Sequence, residues 1–291
     1  MLNAHAPVAV VCHDAGAANI VIAALKATGR EDWRACMGGP AVNIWQSAFP
    51  GIPVYATPAQ ALEGAEFLVS GTGWASSLEH DARCIAHDRT IRNVAVLDHW
   101  VNYAERFVRQ GKTVLPDEFW VTDAEAEDLA KKCFPGATVV RVANYYVGTQ
   151  LGKIRSVAKP STPELLYVLE PMRGDWGRGV QGEFQALDYF VCKLAILNLP
   201  RDLVIRLRPH PSDPPGKYDA WIAGQQGLRL QTDMDQEIYH SLGRATWVAG
   251  CESFAMALAL QAGRSVICTL PPWAPACCLP QKDIIHLAGL K

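Results

Sequence analysis

Short apolar runs rich in β-branched residues recur along the chain, separated by stretches in which apolar side chains return every three or four positions. Runs of the first kind predict strands and stretches of the second predict helices. In the first half, strands are predicted at 8–12, 33–37, 53–56, 67–70, 93–97, 119–121 and 138–142. Helices are predicted at 17–27, from 58, at 78–87 and at 124–133. A polar segment at 148–163, with Lys153, Arg155, Lys159, Pro160 and Pro163, reads as a linker. The alternation then resumes, with strands at 164–169, 203–207, 228–230, 245–248 and 265–269 and helices at 184–197, 235–242 and 253–261. Strand–helix repetition with short crossovers calls for mostly parallel sheets covered on both faces. The expected fold class is α/β, with two Rossmann-like parallel-sheet domains, 1–155 and 156–291, facing a cleft.

The 291 residues fit about two domains. With 49 % hydrophobic and 19 % charged residues, intrinsic disorder as the main state is excluded. A net charge of −2 gives no basic excess, so no nucleic acid partner is expected. No charge-free apolar stretch is long enough to cross a bilayer, and the N-terminus lacks the charged and apolar regions of a signal peptide. Nine cysteines without a CxxC pair read as reduced, non-metal thiols of a cytoplasmic protein. The inner face of a membrane remains a neighbour by surface contact, and a homo-oligomer is compatible with the low charge.

Ligands in open α/β sheets bind beyond the carboxyl ends of the strands, so the chemistry is sought where strands stop. After the first strand comes Cys12-His13-Asp14-Ala15-Gly16, small residues that let a ligand approach closely, with Asp14 either a proton acceptor or a helix cap. Ser70-Gly71-Thr72-Gly73-Trp74-Ala75-Ser76-Ser77 offers Gly73, Trp74 and Ser76 to a substrate, or is an ordinary helix start. In Leu97-Asp98-His99-Trp100-Val101-Asn102-Tyr103, the aromatic and polar side chains of His99, Trp100 and Asn102 suit a sugar. Asp98 is a second candidate base, or one half of an Asp-His pair that fixes a loop.

In Arg206-Leu207-Arg208-Pro209-His210-Pro211, alternation sets both arginines on one face of a strand and prolines restrict the loop around His210. Guanidinium and imidazole groups suit phosphate oxygens, and a protonated His210 would stabilise a leaving phosphate. Ala249-Gly250-Cys251-Glu252-Ser253 follows a strand and opens an apolar helix. Ser253 there suits a phosphate and Glu252 the hydroxyls of a ribose or sugar, while Pro272 borders the nucleotide. No dinucleotide fingerprint, serine-hydrolase elbow or tight metal-ligand cluster occurs, so neither cofactor nor metal is expected.

The two-part plan resembles the GT-B glycosyltransferase architecture, a superfamily that also contains nucleotide-sugar 2-epimerases and hydrolases. Arg208-Pro209-His210-Pro211 resembles the HP motif of bacterial sialyltransferase-like and Kdo-transferase-like surface-polysaccharide enzymes. Glu252-Ser253 is similar in part to their later Ser motif, with Phe254 in place of a second hydroxyl residue. His13-Asp14-Ala15-Gly16 is similar to their early acidic motif, with an inserted Ala. The resemblance implies a glycosyltransferase acting without metal, with a nucleotide-sugar donor, CMP-linked rather than UDP-linked. A glycan or lipid-linked acceptor would lie on the N-terminal domain, the donor on the C-terminal domain, and Asp14 or Asp98 would be the base. The alternatives are a nucleotide-sugar 2-epimerase or hydrolase, or a non-catalytic sugar- or nucleotide-binding protein of polysaccharide assembly.

Overall fold

A computed structural model describes residues 6–172 and 174–290. The chain divides into two compact units, Met1–Gly148 and Thr149–Lys291. In the first, β1 (Val8–Cys12), α1 (Ala15–Lys26), β2 (Arg34–Met37), α2 (Gly39–Ala48) and α3 (Pro58–Ala61) lead into β3 (Phe67–Ser70), α4 (Leu78–Asp88) and β4 (Arg92–Val96). A two-residue-per-strand hairpin, β5 (Val108–Arg109) and β6 (Lys112–Thr113), precedes β7 (Glu118–Val121), α5 (Ala124–Cys133) and β8 (Thr138–Arg141). Helix α6 (Tyr145–Ser156) carries the chain across the division. The second unit continues with β9 (Glu164–Val168), α7 (Gly182–Lys193), β10 (Val204–Arg208), α8 (Asp219–Gly224), β11 (Arg229–Thr232) and α9 (Ile238–Arg244). It closes with β12 (Trp247–Gly250), α10 (Phe254–Gln261), β13 (Ser265–Cys268) and β14 (Ile285–His286).

Each unit holds one six-stranded sheet, ordered β2-β1-β3-β4-β7-β8 in the first and β11-β10-β9-β12-β13-β14 in the second. Every pairing within these sheets is parallel. The strand order reverses between β1 and β3 in one sheet and between β9 and β12 in the other. At such a point the connections leave in opposite directions and open a crevice at the carboxyl ends.

Strands buried on both faces read as continuous apolar runs, as Val8–Cys12 and Leu165–Val168 do. One face of the first sheet packs Val10, Val69, Val94 and Val96 against Ile20, Val21 and Leu25 of α1 and Trp45 of α2. The opposite face sets Ala9, Val11 and Leu68 against Ala61, Ala82 and Ala86 of α3 and α4. In the second unit Leu165, Tyr167, Ile205, Leu207, Ala249 and Ile267 line one face beneath Leu187 and Phe190 of α7. Gly250 permits α10 to lie close on the other face, where a Cβ would run into Val168 and Met256. Among the described residues, no helix is long and apolar enough to cross a membrane.

Several stretches depart from the sequence reading, among them α8, β14 and the β5–β6 hairpin, which it omits. The 148–163 segment is largely helical, because Val147, Gln150 and Ile154 recur on one face of α6 and are buried. The 53–56 strand is reduced to a single bridge, Ala35 to Val54, since Pro53 lacks an amide donor. Helix α2, which the reading omitted, begins with Pro40 in its first turn, where no N–H is needed.

Trp45 is fully buried, stacks at a tilt on Phe49 at 4.8 Å and donates Nε1–H to Ile52 O. The Trp45→Ala variant is expected to lose about 3–5 kcal/mol of stability, measured as a lowered midpoint of denaturant unfolding.

Candidate functional site

The carboxyl ends of β2, β1, β3 and β4 bring together the loops at Gly38, His13-Asp14, Gly71–Trp74 and Leu97-Asp98. Glu79, buried at the start of α4, ties two of these loops together. Its carboxylate accepts the amide N–H of His13 at 2.9 Å and that of Gly73 at 2.7 Å. Burial raises the Glu79 carboxyl above its ordinary value, opposed by these two hydrogen bonds. Arg83, nearly enclosed, holds Gly71 O and Ser70 Oγ. Its burial lowers the guanidinium to about 10.

Asp14 occupies the N-cap position of α1 but its side chain makes no capping bond. Its Oδ1 lies 2.6 Å from His13 Nδ1, and its Oδ2 accepts the Trp74 amide at 3.1 Å. An ionised carboxylate can only accept. The pairing therefore places a proton on Nδ1 and leaves Nε2 of His13 outside this contact. Both side chains are partly solvent-accessible.

Asp98 is engaged differently. Its Oδ1 pairs at 2.7 Å with Arg106 Nη1, which also reaches Thr72 Oγ1 and Thr72 O. Asp98 thus orders the loops through Arg106, a partner that the Asp-His reading of this segment did not include. Glycines seat these groups. A Cβ at Gly16 would strike the Asp98 carboxylate, one at Gly73 the Asp14 carboxylate, and one at Gly38 or Gly39 the His13 ring.

The other first-unit candidates divide by exposure. Trp74 is 46 % exposed, and Ser76 Oγ accepts the Leu78 amide. Trp100 is buried and donates its indole N–H to Asp123, the N-cap of α5, so it braces a helix. His99 packs at 5.2 Å against Trp100, and Asn102 is a turn residue with φ +56°. Arg109, not singled out from sequence, donates to Gly73 O at 2.7 Å.

In the second unit, Arg206 and Arg208 share a face as alternation requires. That face is closed by Asp233, whose side chain is wholly buried. Arg206 Nη2 meets Asp233 Oδ1 at 2.5 Å and Arg208 Nη1 meets Oδ2 at 2.7 Å, with Ser241 Oγ donating to the same carboxylate. Arg208 also holds the carbonyls of Asp235 and Gln236. Burial alone would raise the Asp233 carboxyl, but the bonds from Arg206, Ser241 and Arg208 outweigh it and hold the group below its ordinary value. In this arrangement both guanidinium groups serve Asp233.

His210 stands exposed at the end of β10. Its Nδ1 accepts the Ser212 amide at 3.2 Å and lies 2.7 Å from Ser212 Oγ, while its own amide donates to Asp213. Because Nδ1 accepts, the ring proton sits on Nε2, a donor directed away from the anchored edge.

Ser253 caps α10 by accepting the Ala255 amide. Glu252 donates its amide to Glu170 Oε2 and accepts the Cys278 amide on Oε2, both at 3.2 Å. Glu170, immediately beyond the end of β9, was missed by sequence reasoning. Burial, with the charge of Glu252 adding, pushes its carboxyl up to about 6 against the Glu252 amide bond. Pro272 is exposed, next to Trp273, whose indole donates to Gln185 and whose ring carries the Arg178 guanidinium at 3.8 Å. Among the described residues, no group of three or more His, Cys, Asp or Glu side chains is placed to hold a metal ion.

No family model matches the sequence, and no curated protein matches it. Solved structures do match in fold. A UDP-GlcNAc 2-epimerase from Neisseria meningitidis, bound to UDP-GlcNAc, is 10 % identical with a TM-score of 0.62, covering 90 % of this chain and 82 % of its own. S. aureus MnaA with UDP is 11 % identical with a TM-score of 0.61, covering 91 % and 79 %. The glycotransferase of kitacinnamycin is 14 % identical with a TM-score of 0.52, covering 91 % and 80 %. The likeness is one of architecture: two parallel sheets, each flanked by helices, as in GT-B proteins.

Asp233→Ala strips the partner from two guanidinium groups and is expected to cost about 3–5 kcal/mol, read by denaturant unfolding. Glu170 gives a pH signature. Its folded value of about 6 lies above the ordinary 4.5. Its contribution is therefore complete below pH 4.5 and is lost as pH rises through 6, about 2 kcal/mol in all. Glu170→Gln is expected to flatten this part of the stability–pH profile, measured by thermal unfolding between pH 4 and 7.

Proposed function

We propose that the protein acts on a nucleotide-sugar donor, moving a proton on the sugar and releasing or returning the nucleotide, as a 2-epimerase or hydrolase does. The observation that carries this reading is the opposite partners of Nδ1 in two histidines at carboxyl-end rims, a carboxylate for His13 and an amide N–H for His210. Neutral His13, oriented by Asp14, presents a lone pair on Nε2, while neutral His210, oriented by the Ser212 amide, presents an N–H. The first suits proton abstraction and the second suits a phosphate oxygen. In this reading Asp14 orients and polarises the imidazole, and Asp98 holds the Thr72 loop through Arg106.

In the second unit the groups at the strand ends suit a nucleotide. His210 and the start of α10 at Ser253 face the phosphates, Glu252 the ribose hydroxyls, and Glu170 fixes Glu252 through its amide. In the first unit, exposed Trp74 offers an apolar face that suits a sugar. The uridine nucleotides named in two of the similar structures support a UDP-linked donor over a CMP-linked one. The UDP-GlcNAc 2-epimerase, with a TM-score of 0.62 against 0.52 for the glycotransferase, supports chemistry on the donor alone.

The test is incubation with UDP-GlcNAc in deuterated water, followed by NMR. Deuterium at C2 of the sugar, or free UDP without an acceptor, is the expected result. Turnover that requires an added glycan acceptor would restore the transferase reading. His13→Asn and Asp14→Asn are each expected to lower turnover about 10²–10⁴-fold while nucleotide binding, followed by calorimetry, is retained. His210→Ala is expected to weaken nucleotide binding itself.

A further inference from the structure

Four of the nine cysteines gather at the carboxyl ends of β12 and β13: Cys251, Cys268, Cys277 and Cys278. All are free thiols, and the chemistry proposed above uses none of them. Within this group Cys268 and Cys277 stand out. Cys268 Sγ lies 3.2 Å from the carbonyl oxygen of Cys251 and Cys277 Sγ lies 3.7 Å from the same atom. Sharing that one acceptor keeps the two sulfurs within about 7 Å of each other. One carbonyl oxygen thus holds two sulfurs side by side across the segment that carries Pro271, Pro272 and Trp273.

The pair is asymmetric. Cys268 is sealed in the unit at 1 % exposure, whereas Cys277 is partly exposed. The neighbouring Cys268 thiol holds Cys277 below the ordinary thiol value against the opposing effect of burial, and Cys268 is itself raised. A thiolate is the nucleophile in thiol oxidation, so the accessible sulfur is also the activated one. The nearby carboxylates bear on the same point. Glu252 and Glu170 both act to raise Cys277, and Cys278, whose carboxylate neighbour is Glu252, is itself raised by burial.

We propose that Cys268 and Cys277 form a peroxide-responsive dithiol, with Cys277 the attacking and Cys268 the resolving cysteine. The Cys277 thiolate attacks one oxygen of hydrogen peroxide, the O–O bond breaks, and the departing hydroxide takes a proton to leave as water. Cys277 is then a sulfenic acid. The Cys268 sulfur attacks the Cys277 sulfur, the S–O bond breaks, and the sulfenic oxygen leaves with the Cys268 proton as a second water. Two thiols have given two electrons to one peroxide, yielding one disulfide and two waters. The disulfide would fix the end of β13 to the segment beyond Trp273.

The test treats the full-length protein with hydrogen peroxide, alkylates it under denaturing conditions and maps tryptic peptides by mass spectrometry. Residues 265–282 form one peptide with three cysteines. The expected product lacks two hydrogens and carries the alkyl group on Cys278 alone. Cys277→Ser is expected to slow oxidation of this peptide at least tenfold. Cys268→Ser is expected to stop at a Cys277 sulfenic acid that dimedone traps. The exposed Cys133 and Cys192 serve as the comparison, and replacing both with Ser should leave the link unchanged. A link between any other two cysteines, or full alkylation of Cys268 after peroxide treatment, overturns the proposal. The wild-type map and Cys268→Ser decide the matter even if Cys277→Ser fails to fold.

Discussion

A parallel sheet obliges every connection to carry the chain back to the end from which its strand began. All carboxyl ends therefore share one rim, and wherever the strand order reverses, two connections part and leave room between them. In this protein that constraint operates twice, at β1/β3 and at β9/β12. The polar side chains that fall just beyond those strands are gathered by topology before any of them makes a bond. What the first unit adds is a buried brace. Glu79 accepts two main-chain amides from two different loops, so the rim has a fixed shape as well as a location. Desolvating that carboxylate is costly, and the two amide bonds offset it.

The fixed rim explains why two aspartates that look alike in the sequence have different work. Asp14 meets an imidazole and Asp98 meets a guanidinium. A carboxylate beside a neutral histidine selects a tautomer, whereas a carboxylate beside arginine forms a charge-assisted strut. The second unit repeats the contrast, with Asp213 supporting the His210 main chain and Asp233 absorbing two arginines.

Most sheet strands and most helices were legible because their apolar periods differ and because central strands such as β1 and β9 are buried on both faces. Helix α5 was read to its ends, since Asp123 caps it and acidic and basic residues sort to opposite termini. Helix α6 was read as a linker because its three buried positions are outvoted by exposed Lys153, Arg155 and Gly152 in any local average. The site was legible in its positions and less so in its pairings. Alternation correctly set Arg206 and Arg208 on one face, but whether that face meets solvent or Asp233 depends on β11 and α9, well downstream. Glu79 and Glu170 look like ordinary surface carboxylates in the sequence. Their importance comes from burial against loops distant along the chain, which no local pattern records.

The seats beneath the polar groups have an evolutionary corollary. His13 rests on Gly38 and Gly39, Asp14 on Gly73 and Asp98 on Gly16, each closely enough to leave no space for a methyl group. Neither member of such a couple can drift while the other stays. Descendants that abandon the aspartate or histidine are freed to fill the glycine, and those that keep the acid must keep the bare backbone. Inheritance at these sites is therefore by couples, and a lineage that has changed its chemistry will carry the mark at the glycine as well.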